Sequence, residues 1–347
     1  MRSYLKPTAG LVCLMALAGA GCSSGDGGAG TGAAPPKAPS SSQAAPSQSA
    51  QGSSSATSYQ PYVSADSASD LDTSGSPSAY NLAFVIAKGS SCTPVWGDTT
   101  AIGDSGVKSR ISALKESGAE VRVSFGGASG TELAEACDSA SALAAAYGKA
   151  LDAAGAAQAD FDIEGDALGD SDSVALRSEA IALLQKERDD LQVSFTLPVM
   201  PSGLDAESKA LLESANDKGV QVSTVNIMTM NYGESYQDDM GDYAITAAEA
   251  THDQLADVFG LSEADAWRGM ALTSMLGDND IKGETFTLSD AAQVRTFAEE
   301  KEIAWVSMWA TFRDQQCSSG DADADDALTN CSGVDQDKGA FGKAFAG

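Results

Sequence analysis

From residue 60 onward, apolar and β-branched runs recur with helical stretches between them. The clearest run, Tyr80 to Ala87, reads Tyr-Asn-Leu-Ala-Phe-Val-Ile-Ala and predicts a buried strand. Further strands are predicted at Gln60–Ser64, Glu120–Phe125, Gln192–Leu197, Val222–Met230, Gly269–Met275 and Ile303–Trp309, with another around residues 159–164. Between them the periodicity predicts helices over Gly106–Ser117, Thr131–Ala154, Ser173–Arg188, Ala206–Asp217, Ala247–Phe259 and Ser289–Glu300, and a last one over Gly339–Ala346. Alternating strands and helices imply a parallel sheet. Eight strands favour a closed α/β fold, the (β/α)8 TIM barrel, over an open doubly wound sheet. Only Asp66 to Ser78 separates the first two strands, so the first unit is abbreviated.

The fourth of these strands departs from ordinary patterning. Ala159 to Gly165 reads Ala-Asp-Phe-Asp-Ile-Glu-Gly. Side chains two apart on a strand share a face, so Asp160, Asp162 and Glu164 line one side while Phe161 and Ile163 point to the other. Such a row is expected to face a cavity. Its carboxyls cannot all ionise freely, so at least one proton is shared and one pKa is raised, as a general acid requires. Barrel chemistry sits at the C-terminal ends of the strands, where Glu164, Gly126, Gly127, Tyr232 and Trp309 also fall. Two other readings compete. An EF-hand calcium loop matches at its start, but its twelfth position is Ser171 instead of a bidentate Glu. A purely structural carboxylate cluster would have to bury three acids without use.

Composition narrows the chemistry. The formal net charge is −28, and His252 is the single histidine. So acidic a chain argues against nucleic acid or an anionic membrane as partner and fits a neutral substrate. One histidine, read here as a surface residue, leaves little room for Ser-His-Asp or Cys-His catalysis or for a His-rich zinc site. No cofactor or metal is expected. The run from Asp321 to Asp326 reads as a solvated loop.

The N-terminal part reads as export apparatus. Arg2 and Lys6 precede an apolar run from Leu11 to Ala20, too short for a membrane span, so 1–21 is expected to be a signal peptide. Cys22 follows Leu-Ala-Gly-Ala-Gly, which resembles a bacterial lipobox, although Gly19 stands where Leu is preferred. Lipidation of Cys22 is therefore the expectation, the only route to a membrane, on the outer face of a bacterial cell. Cleavage after Ala18 or Ala20, giving a freely secreted chain, is the alternative. Residues 22–58 are Gly, Ser, Ala, Pro and Gln-rich and predict a disordered linker, with the barrel over 59–347. Cys13 leaves with the signal. The remaining four cysteines suggest two disulfides in an exported chain, Cys92–Cys137 and Cys317–Cys331.

These residues resemble glycoside hydrolase family 18, the chitinases, over about Gln60 to Gly347. The acid row Asp160-Phe161-Asp162-Ile163-Glu164 carries the resemblance. So do Ser124-Phe125-Gly126-Gly127, Met228-Thr229-Met230-Asn231-Tyr232-Gly233, Met308-Trp309 with Arg313-Asp314, and Cys331-Ser332-Gly333. One departure stands out: the family's Asp-Gly before the row is here Ala157-Gln158.

The resemblance implies hydrolysis of β-1,4-linked N-acetylglucosamine in chitin or its oligosaccharides, by a monomer. It implies retention through the substrate's own acetamide, an exception to the two-carboxylate scheme. Glu164 would be the acid, Asp162 would hold the acetamido N–H, and Asp160 would share a proton with Asp162. Tyr232 would hold the acetamido carbonyl, Trp309 would floor the sugar site, and Gly126, Gly127, Met230 and Asn231 would border it. Trp309 and Tyr232 also have plain packing readings, and Trp96 is open between stacking on a distant sugar and surface packing. An endo-β-N-acetylglucosaminidase acting on N-glycans and a non-catalytic chitin-binding relative remain the alternatives, the second weakened by the presence of Glu164.

Overall fold

A computed structural model describes residues 57–318 and 330–347. The stretch expected to be a signal peptide, Cys22, most of the expected linker and the Asp321–Asp326 run lie outside the described residues. The folded part already includes Thr57, whose hydroxyl donates to the Ala298 carbonyl at 2.9 Å.

Seven parallel strands run side by side: Ala79–Lys88, Glu120–Gly126, Gln158–Asp162, Gln192–Pro198, Val222–Met228, Met270–Met275 and Trp305–Trp309. The remaining barrel strand, first in chain order, is the N-terminal segment, in two pieces. Ser58–Tyr59 pairs with Trp305–Trp309, and Tyr62–Ser64 pairs with Ala79–Lys88. Proline lacks a backbone donor, so Gln60-Pro61 is where the ladder switches partners. One short segment thereby joins the first and last strands and closes the (β/α)8 barrel.

The helices packed outside explain part of the acidity. Asp104, Asp170, Asp205 and Asp239 each cap a helix by accepting hydrogen bonds from its first free backbone N–H groups. The long helix expected over Thr131–Ala154 is two, Leu133–Ala136 and Ala140–Ala154. Cys137 lies in the break, bonded to Cys92, and Ser139 starts the second helix as its cap. Cys317 is bonded to Cys331. The helix read from Ala247 begins earlier, at Met240.

Two expectations need correction. His252 is buried: it stacks on Trp267 with centroids 4.2 Å apart, and its Nε2 lies 2.9 Å from the Glu263 carbonyl. Trp96 is neither a sugar platform nor a surface residue. It is core, 1% exposed, with its indole N–H on the Ile102 carbonyl.

Strand Ala79–Lys88 continues past the barrel into a hairpin with Ser91–Trp96. After the seventh barrel strand, Gly277–Asp278 and Thr285–Phe286 form a second, smaller hairpin. Neither extension was expected. Both stand where the strand ends open.

Candidate active site

The alternation in the fourth strand sorts its side chains as predicted. Phe161 packs outward on Phe125, Phe195 and Tyr147, the last from helix Ala140–Ala154, with centroids 5.0–5.7 Å away. Asp160 points inward and meets side chains from across the barrel. One of its oxygens accepts from the Tyr62 hydroxyl at 2.9 Å and Ser124 Oγ at 2.7 Å. The other accepts from Ser194 Oγ at 2.7 Å and Thr196 Oγ1 at 2.9 Å. Four hydroxyls thus fix a carboxyl that is 1% exposed.

Asp162 is placed differently. Its carboxyl interacts with Glu164 above it as well as with Asp160 below. Burial pushes the Asp162 carboxyl well up, and the Glu164 and Asp160 charges push it further. Burial also raises Glu164, helped by the Asp280 charge. Asp162 Oδ1 is buried and has no hydrogen-bond partner. Glu164 lies two residues beyond the strand, still in extended backbone, just before the short helix Gly165–Gly169.

Gly126 and Gly127 have a structural task. The Gly127 N–H donates to the Asp162 carbonyl at 2.9 Å. At Gly126, with φ +99°, a Cβ would sit 2.1 Å from that same carbonyl oxygen. At Gly127 it would press on the Phe84 ring at 2.8 Å. Only glycine lets the third strand end pass so close to the acid row.

The sixth strand delivers Met230, half-buried, and Asn231, exposed at φ +55°. Asn231 is tied to Asp280 in the smaller hairpin by two hydrogen bonds. Glu284 of the same hairpin accepts the Gly233 N–H at 2.7 Å. The Tyr232 ring lies against Tyr236 and Tyr243. Its hydroxyl is buried without a hydrogen-bond partner, so the structure gives it no bond to the acid row. Burial and the nearby Glu284 charge hold that phenol firmly protonated.

Trp309 stacks on Phe84 at 5.5 Å, and meets Tyr62 and Phe312 edge-on. Phe84, Trp309 and Phe312 border a cavity of about 920 Å3, lined also by Ser64, Leu71, Gln315 and Lys338. Among the described residues no cluster of His, Cys, Asp or Glu has the make-up of a metal site.

Comparison with known proteins sets this geometry among relatives. The chain is 33% identical over 249 residues to the "Probable bifunctional chitinase/lysozyme" of Escherichia coli K12, covering 68% of this chain and 28% of that one. It is 32% identical over 248 residues to Endochitinase 11 of Metarhizium anisopliae, covering 68% and 47%. The folded part belongs to glycoside hydrolase family 18. The chain therefore spans less than half the length of these two family relatives. No protein-family model matches it. Active domain 2 of the thermostable Pyrococcus furiosus chitinase, solved with chito-oligosaccharides, superposes with TM-score 0.71 at 27% identity, covering 83% and 92% of the two chains. A GH18 chitinase from Pseudoalteromonas aurantia shares the fold, with TM-score 0.54 at 15% identity over 73% and 94%.

Two residues that contribute to the site were missed in the sequence, Asp280 and Tyr62. Asp280 comes from a hairpin with no signal of its own. Tyr62 was visible as a strand residue, but nothing marked its hydroxyl as a partner of Asp160.

Proposed function

We propose that the barrel is a chitinase that cleaves β-1,4-linked N-acetylglucosamine with retention, using the substrate acetamide as nucleophile. The observation that carries this reading is Asp162. Its carboxyl interacts with Glu164, and its Oδ1 is buried without a hydrogen-bond partner. A buried acceptor without a donor costs about 1–3 kcal/mol, and an acetamido N–H would satisfy it.

The chemistry follows from the row. Glu164, at the open end, gives its proton to the leaving glycosidic oxygen as the bond to the anomeric carbon breaks. The acetamido oxygen attacks that carbon, while Asp162 accepts the acetamido N–H and stabilises the cationic ring so formed. Glu164 then takes a proton from water, which opens the ring and restores the configuration. The unpartnered Tyr232 hydroxyl is a donor for the acetamido carbonyl, and Trp309 gives the sugar an apolar floor. The cavity beside Trp309 has room for further sugar rings.

The test is hydrolysis of chitin oligomers, with a high-mannose glycopeptide and peptidoglycan fragments as controls and mass analysis of products. Because the Escherichia coli relative's name joins chitinase to lysozyme, peptidoglycan is the sharper control. Glu164→Gln is expected to lower turnover by about 10³-fold while the protein stays folded. Asp162→Asn is expected to be similarly impaired; unchanged rates there would contradict substrate assistance. Cleavage of the glycopeptide alone would replace the chitinase reading with the N-glycan one.

We further propose that the chain is exported and held on the outer face of the membrane by a lipid on Cys22. Cys22→Ser is expected to move the protein from the membrane fraction to the medium. Equal partitioning of both forms would leave a freely secreted protein.

A further inference from the structure

The layer of the barrel beneath the acid row holds an unusual cation. Arg122 stands on the inner face of strand Glu120–Gly126, in the register that sets Val123 opposite Ala159 and Ser124 opposite Asp160. It is 4% exposed, and its guanidinium meets neutral partners. Nη1 donates to Gln60 Oε1 at 2.9 Å and Asn81 Oδ1 at 2.7 Å; Nη2 donates to Gln158 Oε1 at 2.7 Å. The Trp305 ring covers it, 4.2 Å from the guanidinium carbon. Among the described residues no carboxylate lies within ion-pair distance. Glu120 is reached only through Gln158, whose amide donates to it.

A buried cation without an opposite charge is strongly unfavourable. The largest charge interaction of Arg122 is with Asp160, one layer up and about 7 Å along the strand, ahead of Tyr62 and Glu120. Four hydroxyls surround Asp160 but supply no charge. Apart from Tyr62, Asp162 and, beyond Asp162, Glu164, Arg122 is the charged or titratable group facing it among the described residues. Gln158 explains how the cation is held. It stands where the family has glycine, and its side chain fills the floor and grips Arg122.

We propose that Arg122, gripped by Gln158, is a positioning residue for the reaction: it is the buried counter-charge beneath the acid row, offsetting the negative charge that the row takes on as it ionises. This rests on the chitinase reading only for its kinetic arm. Removing the cation takes away that offset, and the ionisation of the row as a whole then moves to higher pH.

The experiment is the pH profile of kcat/KM on a chito-oligosaccharide for the parent, Arg122→Gln and Arg122→Lys. With Arg122→Gln both limbs are expected to shift upward by about one pH unit, with kcat lowered more than KM is changed. Arg122→Lys keeps the charge and is expected to bring the limbs back. A role in packing alone would lower the amplitude and leave the limbs in place, and that result overturns the proposal. An activity-independent arm separates this from failure of the chitinase reading: thermal melting of Arg122→Gln, Asp160→Asn and the double variant. The double variant is expected to melt above Arg122→Gln, because the buried carboxyl left without its cation is gone. Additive losses, or a double variant with no cooperative transition, overturn the pairing.

Discussion

Asn231 and Asp280 hold each other by two hydrogen bonds, Asn231 Nδ2 to Asp280 Oδ2 at 2.9 Å and the Asp280 N–H to Asn231 Oδ1 at 3.0 Å. The pair locks the smaller hairpin to the end of the sixth strand and sets the Asp280 charge near Glu164. That charge helps Glu164 keep its proton. Asp280→Asn removes it, so Glu164 releases its proton at lower pH. The expected outcome is an activity profile whose alkaline limb moves to lower pH, with the acid limb less affected. The check is the pH dependence of kcat/KM; an alkaline limb that stays put would show that Asp280 serves only to hold the loop.

How much of this was readable beforehand depends on range. The acid row was legible because strand alternation is local, and Phe161 confirms it by packing outward on Phe125, Tyr147 and Phe195. The partners of Asp160 were not: a Tyr, two Ser and a Thr on three other strands are ordinary residues until the register brings them together. Asp280 was hidden for the same reason. His252 was misread because polar neighbours mask its face. Ala248, Thr251, His252 and Leu255 are all buried, and their helical spacing places them on one stripe. The break at Cys137 followed from a bond to a residue on a distant hairpin.

The proton pair also has a thermodynamic signature. Asp162 and Glu164 hold protons more tightly in the folded chain than in the unfolded one, chiefly because burial penalises their charge. The folded state thus binds more protons above the ordinary carboxylate range, and the pair's contribution to stability falls as pH rises through about 4 toward the raised values. Replacing Glu164 by Gln removes one of these charges. The variant is expected to melt above the parent at pH 7, with the gap closing near pH 4. Calorimetry at the two pH values decides it, and a gap of equal size at both would refute the linkage.

Gly126 offers a test of how the row is aimed. An added methyl would meet the Asp162 carbonyl oxygen, a backbone atom with no freedom to swing aside, at a φ that L-residues avoid. Gly126→Ala is expected to destabilise the fold by about 3 kcal/mol and to displace Asp162, lowering kcat. Gly165→Ala is the contrast: its φ is +53°, yet its Cβ would meet no neighbour, so its loss is expected to be about 1 kcal/mol. Melting curves of the two variants check the difference. Equal losses would mean that backbone conformation, and not the approach to Asp162, governs the site.

The bond between Cys92 and Cys137 ties the long hairpin to the segment that follows the third strand, across a sequence separation of 45. Closing a loop of that length removes unfolded-state entropy worth about 4 kcal/mol in the chain-entropy picture. The anchored segment also carries Glu132, whose carboxylate meets Arg177 at 2.7 Å and the Tyr147 hydroxyl at 3.0 Å, all of them buried. That ion pair holds the segment from the helix side even when the disulfide is absent. The double variant Cys92→Ser and Cys137→Ser is therefore expected to fold and to keep its acid row, but to melt earlier by an amount matching about 4 kcal/mol. Denaturant unfolding with and without reductant measures it: reductant should lower the parent to the variant's stability or below, the second bridge being reduced as well. A parent indifferent to reductant would mean that packing around Glu132 and Arg177, and not the covalent link, secures this wall of the cleft.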